Sequence, residues 1–168
     1  MQKKVFQLLV DNTSGVLSRI SGLFSRRGYN IESITAGDTT VQGLTRITIV
    51  TSGDDEILEQ IEKQVAKLVD VREIKELKPT ESVYRELVLI KVKATLETRQ
   101  SIISVVDIFR AKIVDAAPES LIIELTGDQS KIDAFIALLE GHEILELART
   151  GLAGLGRGIE NVTYIEGK

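Results

Sequence analysis

The fold is decided by residues 5–31, which read VFQLLVDNTSGVLSRISGLFSRRGYNI. Residues 5–10 alternate as a strand does, and a polar turn at residues 11–15 separates them from a helical stretch that opens at Val16. The apolar positions 16, 17, 20, 23 and 24 form one stripe along that stretch. A second glycine-bearing corner, residues 28–31, closes it. This pattern predicts strand, helix and strand, with a polar corner at each end of the helix.

The next residues extend this pattern to a complete unit. Residues 31–36 and 44–50 are rich in β-formers, the acidic residues at 54 and 55 can cap a helix, and residues 71–77 form a last strand. The order βαββαβ within 80 residues is typical of a ferredoxin-like unit. We therefore expect a four-stranded antiparallel sheet with both helices on one face.

A polar, proline-bearing segment then separates this unit from a second one with the same order of elements. The predicted fold class is α+β, with two tandem ferredoxin-like βαββαβ units. We place the first domain at residues 1–78, a linker at 79–83, the second domain at 84–149 and a glycine-rich tail at 150–168. The spacing also places Thr98 at the cap of the first helix in the second unit.

Composition excludes several classes of protein. The 168 residues carry a net charge of −4, contain no cysteine and include only seven aromatic side chains. Disulfides and zinc–thiolate sites are therefore excluded, and neither nucleic-acid binding nor a membrane span is indicated. The glycines of the tail lack the spacing of a phosphate-binding loop. We expect a cytoplasmic protein with no catalytic residue and no metal ligand.

The two polar corners carry the most informative chemistry. Amides near Gly15 open a helix and suit a carboxylate, whereas Asn12 and Asn30 offer oxygen atoms to an ammonium group. Leu17 and Ile31 can enclose a branched aliphatic side chain. A plainer interpretation stays open from spacing alone, in which Asn12 or Ser14 caps the helix and residues 28–30 form an ordinary helix exit.

The chain resembles the ACT domain of the small, regulatory subunit of acetolactate synthase, also called acetohydroxyacid synthase. The resemblance is carried by residues 11–19 and 23–33, above all the uninterrupted run 27–33, and continues at residues 59–64, 67–71, 108–110 and 147–151. It covers nearly the whole chain. It identifies residues 1–78 as an ACT domain and the second unit with the tail as the family's C-terminal domain.

The resemblance implies a function in branched-chain amino-acid biosynthesis. Subunits of this family bind and activate a catalytic (large) subunit that carries thiamine diphosphate and Mg²⁺, and they confer feedback inhibition, typically by valine. No cofactor is then expected in this chain itself. A homodimer through the ACT domains is implied, because the effector site of such domains lies where two of them meet. Carried over position by position, the effector site comprises Asn12, Gly15, Val16, Leu17, Asn30 and Ile31.

Two other functions are alternatives to this one. One is a stand-alone ACT-type regulator of transcription that responds to an amino acid, but the sequence lacks a helix-turn-helix segment and a basic face. The other is an enzyme that uses scattered carboxylates such as Asp38, Asp54 and Asp115, which have no catalytic spacing. Both are disfavoured by these absences.

Overall fold

A computed structural model describes residues 1–159 of the chain. It divides into two compact units. One unit contains residues 1–83 together with the described residues from Leu152 onward, and the other contains Tyr84–Gly151. Each unit has its own hydrophobic core.

The first unit is a four-stranded antiparallel sheet with two helices. Its sheet order is β2-β3-β1-β4, so β2 and β4 lie at the edges of the four-strand path. The elements are β1 (Gln2–Asp11), α1 (Val16–Arg26), β2 (Asn30–Asp38), β3 (Leu44–Gly53), α2 (Asp55–Ala66) and β4 (Val71–Leu77).

Alternation along the central strand explains how this core forms. Phe6, Leu8 and Val10 on β1 belong to one apolar cluster with the buried stripe of α1 and the buried residues of α2. The helix α2 begins where predicted, because the Asp54 carboxylate accepts a hydrogen bond from the Ile57 amide at 2.9 Å. The predicted βαββαβ order is confirmed for this unit.

The second unit repeats that order of elements with the sheet order β6-β7-β5-β8. The α+β fold class with two ferredoxin-like units is therefore confirmed. The elements are β5 (Ser82–Lys93), α3 (Arg99–Ile108), β6 (Lys112–Ala117), β7 (Ser120–Gly127), α4 (Gln129–Leu138) and β8 (Ile144–Arg149).

One expected cap is absent in the second unit. Thr98 occupies the N-cap position of α3 but makes no side-chain cap bond. Its hydroxyl instead accepts from the Thr95 amide at 2.9 Å. The competing local turn takes the oxygen that would otherwise cap the helix.

The domain limits differ from the predicted ones in two places. The predicted linker 79–83 is a 3-10 turn at Pro79–Glu81 followed at once by β5, which begins at Ser82. The predicted tail is not separate as far as it is described: a short strand, β9 (Ala153–Gly156), belongs to the first unit. Residues 160–168 of the predicted tail lie outside the described residues.

The side chain of Gln7 explains why the tail returns to the first unit. Gln7 lies on β1 with only 2% of its surface exposed, so its amide group needs a partner inside the protein. Its Nε2 donates to the Gly154 carbonyl at 2.9 Å. The Arg157 amide adds a bond to the Glu81 carbonyl at 2.7 Å.

A two-pronged ion pair ties β5 to β8 in the second unit. Arg149 donates from Nε and Nη2 to the two carboxylate oxygens of Glu86, at 2.7 and 2.9 Å. Glu86 is buried, and the hydrogen bonds from Arg149 lower the pKa of its carboxyl group, outweighing the opposing effect of burial. The pair holds the edge strand β8 against the centre of its sheet.

We expect Glu86→Gln to lower the free energy of unfolding by about 1–2 kcal/mol at neutral pH, because the variant weakens charged hydrogen bonds at a buried position. Because folding lowers the pKa of the Glu86 carboxyl group, the ion pair stabilises the fold fully only above the pKa of the unfolded chain, about 4.3. This stabilisation is lost as the pH falls through the lower pKa of the folded chain. Urea denaturation at pH 7 and pH 3 measures both effects.

Glu146→Gln is the matched control, since Glu146 is an exposed partner of Lys91 on the same pair of strands. Its effect should stay within about 0.5 kcal/mol. Wild-type stability of Glu86→Gln at pH 7, or a loss that persists undiminished in acid, would contradict this account.

Candidate functional site

The first polar corner is held at its start by bonds to two other segments of the first unit, residues 70–72 and Gly43. The Asp11 amide donates to the Asp70 carbonyl at 2.9 Å, and the Asn12 amide donates to the Gly43 carbonyl at 2.8 Å. The Asp11 carboxylate also accepts two hydrogen bonds from Arg72, at 2.8 and 3.0 Å. The chain therefore leaves β1 on a fixed path.

The helix that follows begins without a side-chain cap. Gly15 is the N-cap residue, with a left-handed φ of +85°, and no side chain caps α1. The simpler interpretation, in which Asn12 or Ser14 caps this helix, is therefore wrong at this corner. The Val16 amide makes a long bond of 3.5 Å to the Thr13 carbonyl, and no side chain caps the first turn. First-turn amides of this kind can bind an anion, and the helix dipole favours one there.

A cavity of about 320 Å³ opens beside this uncapped turn. Four predicted site residues line it, namely Asn12, Gly15, Val16 and Leu17. The sequence pattern did not predict the other lining residues, which are Val10, Asp11, Thr13, Ser18, Ala36, Thr45 and Ile47. The cavity thus joins a polar rim on the loop to apolar walls.

Strand register explains the residues that were missed. In the β2–β3 pair, Ala36 lies opposite Ile47, and Asp38 lies opposite Thr45. The end of β2 therefore meets the start of β3 beside the corner at Asn12. The antiparallel pairing of two neighbouring predicted strands was the signal that could have found Ala36 and Thr45.

The second corner lies at the opposite end of α1. The helix has 11 residues, which makes it about 16 Å long. Asn30 pairs with Ser52 on β3. Ser52 lies seven residues along that strand from Thr45, a cavity residue, so the two are about 24 Å apart. Asn30 donates from Nδ2 to the Ser52 hydroxyl at 3.2 Å, and Ile31 packs against the core of the unit. One chain therefore does not bring the six predicted residues together.

The backbone at this second corner is an ordinary helix exit. The Gly28 amide bonds the Ser25 carbonyl at 3.2 Å, the Tyr29 amide bonds the Phe24 carbonyl at 2.9 Å, and Gly28 has a φ of +68°. These bonds, with the edge-on contact between the rings of Phe24 and Tyr29, form a Schellman ending. Within one chain, the plainer interpretation describes this corner correctly.

An ion pair lies behind the uncapped turn. Arg19 on α1 donates from Nε to the Asp70 carboxylate, and its Nη2 reaches the Ser14 carbonyl at 3.4 Å. The hydrogen bond from Arg19 lowers the pKa of the Asp70 carboxyl group, and the same bond raises the pKa of Arg19. Both groups stay charged across the physiological range.

The edge of the sheet nearest the cavity is β2. In the described sheet this nine-residue strand pairs with β3 alone, so its other side faces no strand of that sheet. Ile34 on this strand is 38% exposed, and Leu17 on α1 is 50% exposed. Apolar surface and an open strand edge thus lie in the same unit as the cavity.

The described residues offer neither a metal centre nor a membrane-spanning helix. Within residues 1–159, no three or more His, Asp or Glu side chains lie close enough together to hold a metal ion. No helix in the described part of the chain is both long and apolar enough to span a membrane.

The chain matches two family models that cover both units. Residues 6–73 match the ACT domain of acetohydroxyacid synthase small subunits, and residues 85–158 match the model described as the small subunit of acetolactate synthase. A probable acetolactate synthase small subunit from Methanothermobacter thermautotrophicus is 49% identical and covers 92% of both chains. The acetolactate synthase small subunit of Haemophilus influenzae is 47% identical over 95% of this chain and 99% of its own.

A solved structure agrees with these matches. The crystal structure of the acetolactate synthase small subunit from Thermotoga maritima superimposes with a TM-score of 0.87 at 43% identity. The match covers 95% of this chain and 100% of that one.

Proposed function

Because the chain belongs to the family of acetolactate synthase small subunits, we propose that it is a regulatory subunit that binds and activates the catalytic subunit. We further propose that it confers feedback inhibition by a branched-chain amino acid, valine foremost. One observation supports this most strongly: the uncapped start of α1 at Gly15 opens into a cavity with apolar walls.

The chemistry of a free α-amino acid fits that cavity. The first-turn amides of α1 suit its carboxylate, and the Asn12 side-chain oxygen suits its ammonium group. Val10, Leu17 and Ile47 supply apolar wall for a branched side chain. The proposal therefore assigns each part of the ligand to a different feature of one cavity.

A second copy of the chain can supply the two predicted residues that lie far away. If two β2 strands pair antiparallel about Ile34, position 30 of one copy lies opposite position 38 of the other, and position 32 opposite position 36. Asn30 and Ile31 of the second copy then reach the end of β2 that carries Ala36, a cavity residue. The homodimer is thus proposed as part of the site.

Feedback follows from this arrangement through linkage. An effector that binds between two copies favours the orientation in which it makes more contacts. It can shift the population of the complex only by its difference in affinity, typically about 1–3 kcal/mol. We propose that valine favours the less active arrangement of the assembled enzyme.

The chemistry itself is assigned to the partner. We propose that thiamine diphosphate and Mg²⁺ belong to the catalytic subunit, that this chain needs no cofactor and is not a catalyst alone, and that the complex is cytoplasmic. With a net charge of −4, the chain has no electrostatic preference for nucleic acid.

Reconstitution with a purified acetolactate synthase catalytic subunit tests the whole proposal. We expect added chain to raise the rate of acetolactate formation from pyruvate and to make that rate sensitive to valine. The chain alone, given pyruvate, thiamine diphosphate and Mg²⁺, should form no product. Unchanged catalytic activity on adding the chain would refute the assignment.

In the same assay, Gly15→Asp should abolish valine inhibition and leave activation largely intact, because its carboxylate repels that of the ligand. Gly15→Asn is the matched control: it has nearly the same shape, it shares the strained left-handed backbone and the close approach of a Cβ to Arg19 Nη1 at 2.9 Å, and it carries no charge. We expect Gly15→Asn to retain more inhibition than Gly15→Asp. Inhibition of the Gly15→Asp complex at the wild-type valine concentration would show that the site is misplaced.

A further inference from the structure

We infer that the Arg19–Asp70 ion pair presets the loop at residues 11–15 for the effector, so that Arg19 is a positioning residue for the site. This inference rests on the proposed function of that loop. It concerns a pair that does not line the cavity.

Asp70 is bonded to residues at both ends of the loop, Asp11 at its start and Arg19 after it. Its backbone carbonyl accepts the Asp11 amide at 2.9 Å, which fixes the point where the loop leaves β1. Its carboxylate accepts from Arg19, one turn into α1, where the loop ends. One residue thus sets the separation between the two ends of the loop.

Arg19 also braces the turn directly. Its Nη2 reaches the Ser14 carbonyl at 3.4 Å, and its Nη1 lies 2.9 Å from the position that a Cβ at Gly15 would occupy. The guanidinium therefore packs against the left-handed corner whose amides are proposed to bind the carboxylate. A shift of this group would change where those amides point.

The choice of arginine supports a geometric role. A cation in the first turns of a helix is opposed by the helix dipole, and here the Asp70 carboxylate offsets that cost. A planar guanidinium can reach the carboxylate and a backbone carbonyl together, whereas a lysine ammonium offers a single point of contact. Arg19→Lys therefore keeps the charge and removes the brace.

The test is a double-mutant cycle on valine affinity, measured by calorimetry with the full chain. Its variants are Arg19→Lys, Asp70→Asn and the two together. Asp70→Asn leaves the backbone bond to Asp11 in place. Lys63→Gln is the control, because it removes an exposed ion pair with Glu59 on α2.

We expect each single variant to raise the valine dissociation constant roughly tenfold. The dissociation constant of the double variant should not exceed that of whichever single variant binds valine more weakly. Thermal midpoints should stay within about 5 °C of the wild type, since the Arg19 side chain is 47% exposed and each variant keeps a hydrogen-bonding group opposite the buried partner. Activation of the catalytic subunit should be unchanged, as should the affinity of Lys63→Gln. A role confined to stability would instead lower midpoint, activation and affinity together.

Three results would overturn the inference alone: unchanged affinity in both single variants, additive losses in the double variant, or affinity lost only in step with the thermal midpoint. A wild-type chain that binds no branched-chain amino acid would overturn the proposed function and this inference with it.

Discussion

A single backbone conformation, the left-handed turn at Gly15, determines how the first unit presents its cavity. Because the N-cap residue has no side chain, α1 starts with its amides uncapped and its dipole directed at the cavity. The surrounding bonds to Asp70, Gly43 and Arg72 keep the loop in place without placing a side chain over those amides. The loop at residues 11–15 is thus where the end of β1, the start of α1 and the positive end of the helix dipole meet.

The length of α1 has a second consequence. Eleven residues place the corner at Asn30 about 16 Å from the corner at Gly15, so a small ligand cannot touch both within one chain. The open edge of β2 and the exposed side chains of Ile34 and Leu17 offer a way to join them through a second copy. In the proposed dimer, the effector site coincides with the interface between the two copies, where a bound ligand can alter how they are arranged.

Periodicity was enough to predict the βαββαβ elements of both units, because each apolar stripe has one face to bury, but it did not predict the short strand β9 in the glycine-rich tail. It predicted the cap at Asp54 correctly and the cap at Thr98 wrongly, since a hydroxyl group can equally serve a local turn. The tail's return to Gln7 could not be predicted, because it depends on a buried amide group finding a distant carbonyl. Ala36 and Thr45 were within reach of the sequence through the pairing of two predicted strands, but only their register identifies them as cavity residues.

A mixed dimer distinguishes an effector site shared between two chains from one contained in a single chain. Gly15→Asp and Asn30→Ala chains with different affinity tags are refolded together, and the species that carries both tags is isolated for calorimetry with valine. In it, Gly15 of one chain and Asn30 of the other restore one complete site, so we predict one valine bound per dimer with wild-type affinity. The account is contradicted if this species binds no valine, or if the Asn30→Ala homodimer binds as the wild type does.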